Sequence, residues 1–157
     1  MNKKKILENL QKRIQDELEK ATSAYKTTHN HATNEELKSD GKYDTRAIEA
    51  GYLAGAQKKR VEELKKELKL LREIDPSSSH ESVCIGSIVT LTLNNIEKKY
   101  FISCTTGGSL IDIEGEHYLV VSAYSPLCSA MVGLQTGDTF EVEVGDDIRE
   151  YTITDIY

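Results

Sequence analysis

The hydrophobic period of this chain changes once, near residue 76, and that change limits the fold more than any other feature. Upstream, apolar residues recur at alternating steps of three and four. Leu7, Leu10, Ile14, Ala21 and Ala24 form one stripe, with Glu17 as its single interruption. Ala47, Ala50, Ala54, Gln57, Val61, Leu64, Leu68 and Leu71 form the next. Two such stripes with charged flanks predict an antiparallel coiled-coil hairpin. Leu and Ile dominate its open end and Ala its turn, so the helices are expected to approach closely at a slender tip. A first helix of about 28 residues would be roughly 42 Å long at 1.5 Å per residue. Lys, Glu and Gln dominate the sequence on the outer face, which disfavours a hairpin built to dimerise or to bind another helix.

Downstream the period becomes two. "VCIGSIVTLTL" (83–93) and "KKYFISC" (98–104) flank "NNIE" as a hairpin. "EGEHYLVVSAY" (114–124), "DTFEVEV" (138–144) and "REYTITDIY" (149–157) read as further strands, the last two joined across "GDD". "SPLCSAMVGLQTGD" between them predicts a short helix or loop starting at Ser125-Pro126 and ending near Gly133. "REIDPSSSHES" (72–82) ends the second helix at a proline and forms a polar linker. The fold class is therefore α+β: a helical hairpin over residues 1–75, then a small, mainly antiparallel sheet domain with one short helix over 76–157.

Charge divides at the same place. Residues 1–75 hold 17 Lys/Arg against 14 Asp/Glu, a net of +3, and residues 76–157 hold 3 against 12, a net of −9. A surface as acidic as the second half is unsuited to general nucleic-acid binding, which needs cations for the phosphates. No run approaches the roughly 20 apolar residues of a membrane span, and no signal-peptide pattern opens the chain. Cys84, Cys104 and Cys128 have no metal-ligand spacing, and their odd count is that of reduced, packing thiols in a cytoplasmic protein. "CTTGGS" has paired glycines without the G-K-[ST] of a P-loop and reads as a turn. His29 and His31 lack a third transition-metal ligand.

The turn of the hairpin, "HATNEELKSDGKYDTR" (31–46), gathers Glu35, Glu36, Asp40 and Asp44 against Lys38, Lys42 and Arg46. Thr33 and Glu36 have capping-box spacing, Asp40-Gly41 breaks the helix, and Asp44 or Thr45 caps the helix that follows. One reading of the acids is a solvated loop whose carboxylates face helix N-termini. Glu36 and Asp40 are four apart, so on a helical turn their Cβ atoms lie about 5–6 Å from one another, and as like charges they would slightly destabilise an isolated helix.

The chain resembles the Gre family of bacterial transcript-cleavage factors over nearly its whole length. "EELKSDGKYDTRAIEAGYLAGAQKKRVEEL" is similar to the tip and second helix of that family's coiled coil, and "KYDTRAIEAGYLAGAQ" in particular resembles a divergent Gre-like subgroup. "SAYSPLCSAMVGLQTGDTFEV" is similar to the family's S-P-L-G-x-A-L-(I/L)-G-K-x-x-G-D signature. The resemblance implies a coiled coil followed by an FKBP-like domain. It also implies a protein that is not itself an enzyme and works with bacterial RNA polymerase and the RNA 3′ end. The globular domain would dock on the rim of the polymerase secondary channel through Ser125, Pro126 and Leu127. The tip acids would share Mg²⁺ with the polymerase active site, with no cofactor of the factor's own. Glu36 and Asp40 are the candidate metal-facing pair, Glu35 and Ser39 support them, and Lys42 and Arg46 are placed to contact RNA phosphates. The family's D-x-x-E pattern puts its first acid on Glu36 and its second on Ser39, with Asp40 immediately after. Cys128 replaces the signature glycine, and Gly133-Leu134 stands where the family has G-K. A Gre-like inhibitor that enters the channel without promoting cleavage is the alternative within the resemblance.

Overall fold

The computed structural model describes residues 2–38, 45–105 and 107–157, with side chains of residues 32–47 left out. Helix α1 spans Asn2–Lys38 and helix α2 spans Thr45–Glu73. Six strands follow: β1 Ile88–Leu93, β2 Ile96–Ser103, β3 Leu110–Ile113, β4 Glu116–Ser122, β5 Thr139–Val144 and β6 Asp147–Ile156. The short helix α3, Pro126–Met131, lies between β4 and β5. Contacts divide the chain into two units, Met1–Leu10 with Leu70–Tyr157, and Gln11–Lys69. The first and last turns of the hairpin thus belong to the sheet's unit.

Helix α1 is longer than the 28 residues expected. It runs through Thr33 without a new start, so the capping-box spacing of Thr33 and Glu36 does not mark a helix N-terminus. Such a box works only where the preceding backbone is non-helical. Helix α2 ends at Glu73, three residues before Pro76, as the linker composition requires.

The sheet has the order β3-β4-β2-β1-β6-β5. Four of its pairings are antiparallel, but β2 and β4 run parallel, from Lys99↔Tyr118 to Ser103↔Ser122. The sheet is thus mainly antiparallel, as expected, with one parallel pairing. Strand β3 was not anticipated, and β1 begins at Ile88 rather than at Val83. Asn94 and Asn95, both at positive φ (51° and 62°), make the β1–β2 turn, a conformation asparagine tolerates better than most residues.

Alternation sends Val89, Leu91, Tyr100, Ile102, Phe140, Val142, Tyr151 and Ile153 to one face, where they cluster with Cys128 and Met131 of α3 and with Val83. Phe140 and Tyr151 stack there with centroids 5.5 Å apart. The opposite face carries buried Ile88, Phe101, Tyr118 and Val120. Gly86 (φ +89°) turns the chain into β1; a Cβ there would lie 2.8 Å from Ile74 Cγ2.

Candidate functional site

In the arm, residues 11–69, the seam of α2 keeps a strict alternation of four and three. Ala54, Val61, Leu64 and Leu68 are buried, with Gln57 half-buried between them. The α1 seam departs from the expected register. After Ile14 it passes through Leu18, Ala21, Tyr25 and Thr28, all half-buried, while Glu17 and Ala24 are exposed. The step from Leu7 through Leu10 and Ile14 to Leu18 is three, four and four, an eleven-residue repeat that relaxes the heptad toward the 3.6-residue helical period. Glu17 is therefore a flanking residue and not a seam defect, and its Oε2 accepts from Arg60 Nη2 at 3.1 Å. Further along, Tyr25 and His29 stack at 5.6 Å. His29 and His31 are exposed, and no group of three metal-ligating side chains exists among the described residues.

The outer face of α2 differs from expectation. Ile48, Tyr52 and Leu53 are exposed, Tyr52 by 78%, alongside Gly51 and Gly55. The apolar patch is confined to the start of α2; from Lys58 onward its exposed residues are Lys, Arg and Glu, as expected.

The sequence-predicted tip residues fall where description ends. Glu35 and Glu36 lie in the last turn of α1 and Arg46 in the first turn of α2, with their side chains outside the described residues. Ser39, Asp40, Lys42 and Asp44 lie outside them altogether. The acidic segment lies between α1 and α2 in the sequence, and the pairing of Glu36 with Asp40 is a sequence expectation that falls outside the described residues.

The Ser125–Leu127 segment is described in full. Ser125 is extended (φ −74°, ψ 151°), and its Oγ accepts from Cys128 N at 3.1 Å, capping α3 with Pro126 at its first position. This is the Ser-Pro helix start in physical terms: one orphan N–H satisfied, another absent. Pro126 is exposed and Leu127 half-buried, while Cys128 and Met131 are fully buried. Cys128 thus fills space where a glycine would leave none filled, and burial pushes its thiol pKa up. Tyr124, 83% exposed immediately before the cap, belongs to the same surface; nothing in its sequence context distinguished it. Gly133 (φ +84°) ends the segment, donating to Val83 O at 2.9 Å.

Within the sheet's unit, a polar cluster ties the start of α1 to β4. Asn2 Nδ2 donates to the Tyr118 hydroxyl, which donates to Glu116 Oε2 at 2.5 Å, and Lys99 Nζ donates to Glu116 Oε1 at 2.6 Å. The Lys99 and Tyr118 bonds hold the Glu116 carboxyl below its ordinary range, and the same carboxylate raises Lys99. Lys5 pairs with Glu114, and Lys3, buried, donates to Ser78 O at 2.6 Å; its burial lowers its pKa. These cations serve to anchor the first helical turn. No helix in the described residues is long and apolar enough to cross a membrane.

Comparison with known proteins adds a family. The profile described as "Transcription elongation factor, GreA/GreB, C-term" matches residues 78–157. The transcription elongation factor GreA of Neisseria meningitidis serogroup B is 28% identical over 123 residues, 77% of this chain and 73% of that protein. The solved structure of GreA factor homolog 1 (Gfh1) of Thermus thermophilus is 18% identical, covering 94% of each chain with a TM-score of 0.40. A GreA/GreB elongation factor from Nitrosomonas europaea is 23% identical, covering 61% of this chain and 78% of that one with a TM-score of 0.36.

Proposed function

The chain belongs to the GreA/GreB family of transcription elongation factors, and on that premise we propose that it binds RNA polymerase, enters its secondary channel with the α1–α2 arm and stimulates cleavage of backtracked RNA. The observation that carries this reading is the arm itself. Two helices of 37 and 29 residues run up to an acidic segment of sequence and continue away from it. Helices this long are more than a stability argument alone requires, and the acidic segment lies between them in the sequence.

The donor set suits a hard cation shared with a partner. Glu36 and Asp40 offer carboxylate oxygens only, too few to hold Mg²⁺ without further ligands, and Mg²⁺ is typically bound through one or two carboxylates plus phosphates and waters. A second metal at a phosphoryl centre supplies activation of water and neutralisation of the leaving oxygen. The chain's own contribution is to position charge: Glu36 and Asp40 toward the metal, Glu35 and Ser39 in support, Lys42 and Arg46 toward RNA phosphates. Ser125, Pro126 and Leu127 form the polymerase-docking surface, on a capped and rigid helix start.

Two other readings have an observation each. Ser39 stands where the family pattern has its second acid, which favours an inhibitor that occupies the channel without promoting cleavage. The exposed Ile48, Tyr52 and Leu53 favour an arm that binds another helix as a scaffold.

The test is to add the protein to backtracked elongation complexes and follow RNA length at varied Mg²⁺. Shortened transcripts, lost in Glu36→Ala with Asp40→Ala, are expected. Blocked synthesis with intact RNA identifies the inhibitor, and absence of polymerase binding leaves the scaffold.

A further inference from the structure

Helix α3 has six residues and covers only part of the sheet face on which it lies. Beyond it, at the β1–β2 turn, the same face holds a cleft of about 190 Å³. Leu91, Tyr100 and Tyr151 are its buried lining, Lys98 and Arg149 its cationic wall, and Ile96, 60% exposed, its apolar rim. We infer that this cleft docks an acidic segment of a protein partner, which seats one apolar side chain against Tyr100 and Tyr151 and sets its carboxylates on Lys98 and Arg149.

The chemistry of the lining points to a carboxylate. Residues 76–157 carry a net charge of −9 and only three cations. Lys99 is paired with Glu116. The other two, Lys98 and Arg149, both line this cleft, and neither has an ion-pair partner among the described residues. No carboxylate lines it; Asp147, two residues before Arg149, does not. The hydroxyls of Tyr100 and Tyr151 likewise have no hydrogen-bond partner among the described residues. Side chains that are cations or phenols supply donors in excess, and the ligand that satisfies them is an acceptor with negative charge.

Size favours a side chain over a free metabolite, because small-molecule sites typically enclose about 300–1,000 Å³. Apolar floor, cationic wall and aromatic rings match the anchor-and-rim organisation of peptide-binding surfaces. The cleft is also separate from the Ser125–Leu127 surface. Ser125 follows the end of β4, where Ser122 pairs with Ser103. Ile96, on the cleft's rim, begins β2 at its other end, about 23 Å from Ser103 along the strand, although Tyr100 on the floor shares the core cluster with Cys128.

The test uses the full-length chain and fluorescence anisotropy with three labelled probes. These are a capped octapeptide with Leu-Phe between glutamates, the same peptide with lysines for the glutamates, and a single-stranded RNA 12-mer. Saturable binding of the glutamate peptide alone is expected, weakened about tenfold or more by Lys98→Glu with Arg149→Glu, as for oppositely charged partners made repulsive. Tyr100→Phe should weaken it by a smaller factor while leaving the melting temperature within a few degrees. Both cations are exposed, so the charge variants are expected to fold, and their melting curves check it. No saturable binding, equal binding of the two peptides, or indifference to charge reversal overturns the inference. Preference for the RNA also overturns it, by assigning the cations to phosphate.

Discussion

Asn2 Nδ2 donates to the Tyr118 hydroxyl at 2.6 Å, joining the first turn of α1 to β4 across 116 residues of sequence. The hydroxyl in turn donates to Glu116, so one oxygen serves as acceptor and donor in a chain of partners. Tyr118→Phe keeps the buried ring and removes only that oxygen. It should cost about 1–2 kcal/mol, the value of a hydrogen bond plus a partner left unsatisfied. Urea unfolding measures it as a lower midpoint at unchanged slope; an unchanged midpoint would show that Asn2 and Glu116 are equally well served by water.

The same cluster gives an acid dependence. Glu116 is held below its ordinary carboxylate pKa by Lys99 and Tyr118, and Asp75 by Ser77, whose N and Oγ both donate to Oδ1. A carboxylate depressed in the native state binds fewer protons there than in the unfolded chain. Its stabilisation is complete above the unfolded pKa and is lost as pH falls through the folded one. Unfolding midpoints should therefore fall between about pH 5 and pH 3, and Glu116→Gln should flatten that fall. Both groups are exposed, so the change is small and shrinks in high salt.

The hairpin and most of the strands were legible because burial is periodic along single elements. Leu64, Leu68 and Leu71 lie where a heptad places them, and "NN" between two apolar runs is a local turn signal. The register of α1 was less legible. Glu17 and Ala24 fit a heptad on paper, but Leu18 and Tyr25 bury more apolar surface one residue later, and the helix accommodates them. Strand β3, four residues after a glycine-rich turn, is too short to show a period. The parallel pairing of β2 with β4, and the Asn2–Tyr118 bond, join segments whose proximity no local pattern encodes. At the acidic tip, charge and spacing were legible, but side-chain direction depends on the turn between the helices.

Gly86 offers a backbone test. Its φ of +89° disfavours any L side chain, and an added Cβ would lie 2.8 Å from Ile74 Cγ2, next to the linker leaving α2. Gly86→Ala should cost about 1–3 kcal/mol, from positive-φ strain together with overpacking. The measurement is thermal unfolding, and a loss below 0.5 kcal/mol would mean that Ile74 gives way freely.

The arm separates packing from charge. Ile14 and Leu64 are buried at 3% and 1%, whereas the Arg60–Glu17 pair across the same seam is more than half exposed. Leu64→Ala should destabilise the arm by about 2–5 kcal/mol. Arg60→Ala should change it by about 1 kcal/mol or less, and less still at high salt. Helical circular dichroism on heating reads both, and an Arg60 effect as large as that of Leu64 would show that the ion pair, not the seam, holds the helices together.

The three thiols differ in access, and their reaction rates should rank accordingly. Cys84 is half-buried, with its Sγ 3.4 Å from Ser87 Oγ, while Cys104 and Cys128 are buried. Reaction requires the thiolate, and burial raises the Cys128 pKa, so that thiol is disfavoured twice, by access and by ionisation. With a disulfide reagent at neutral pH, Cys84 should react first, and Cys128 only at the rate at which the sheet's unit opens. Denaturant below the unfolding midpoint should accelerate Cys128 and leave Cys84 nearly unchanged. Cys128→Gly should remove the Cys128 phase while leaving that of buried Cys104, and should cost about 1–3 kcal/mol, because it empties a fully buried site and places glycine within α3. Fast labelling of Cys128 in the native protein would mean that α3 detaches from the sheet far more readily than its burial implies.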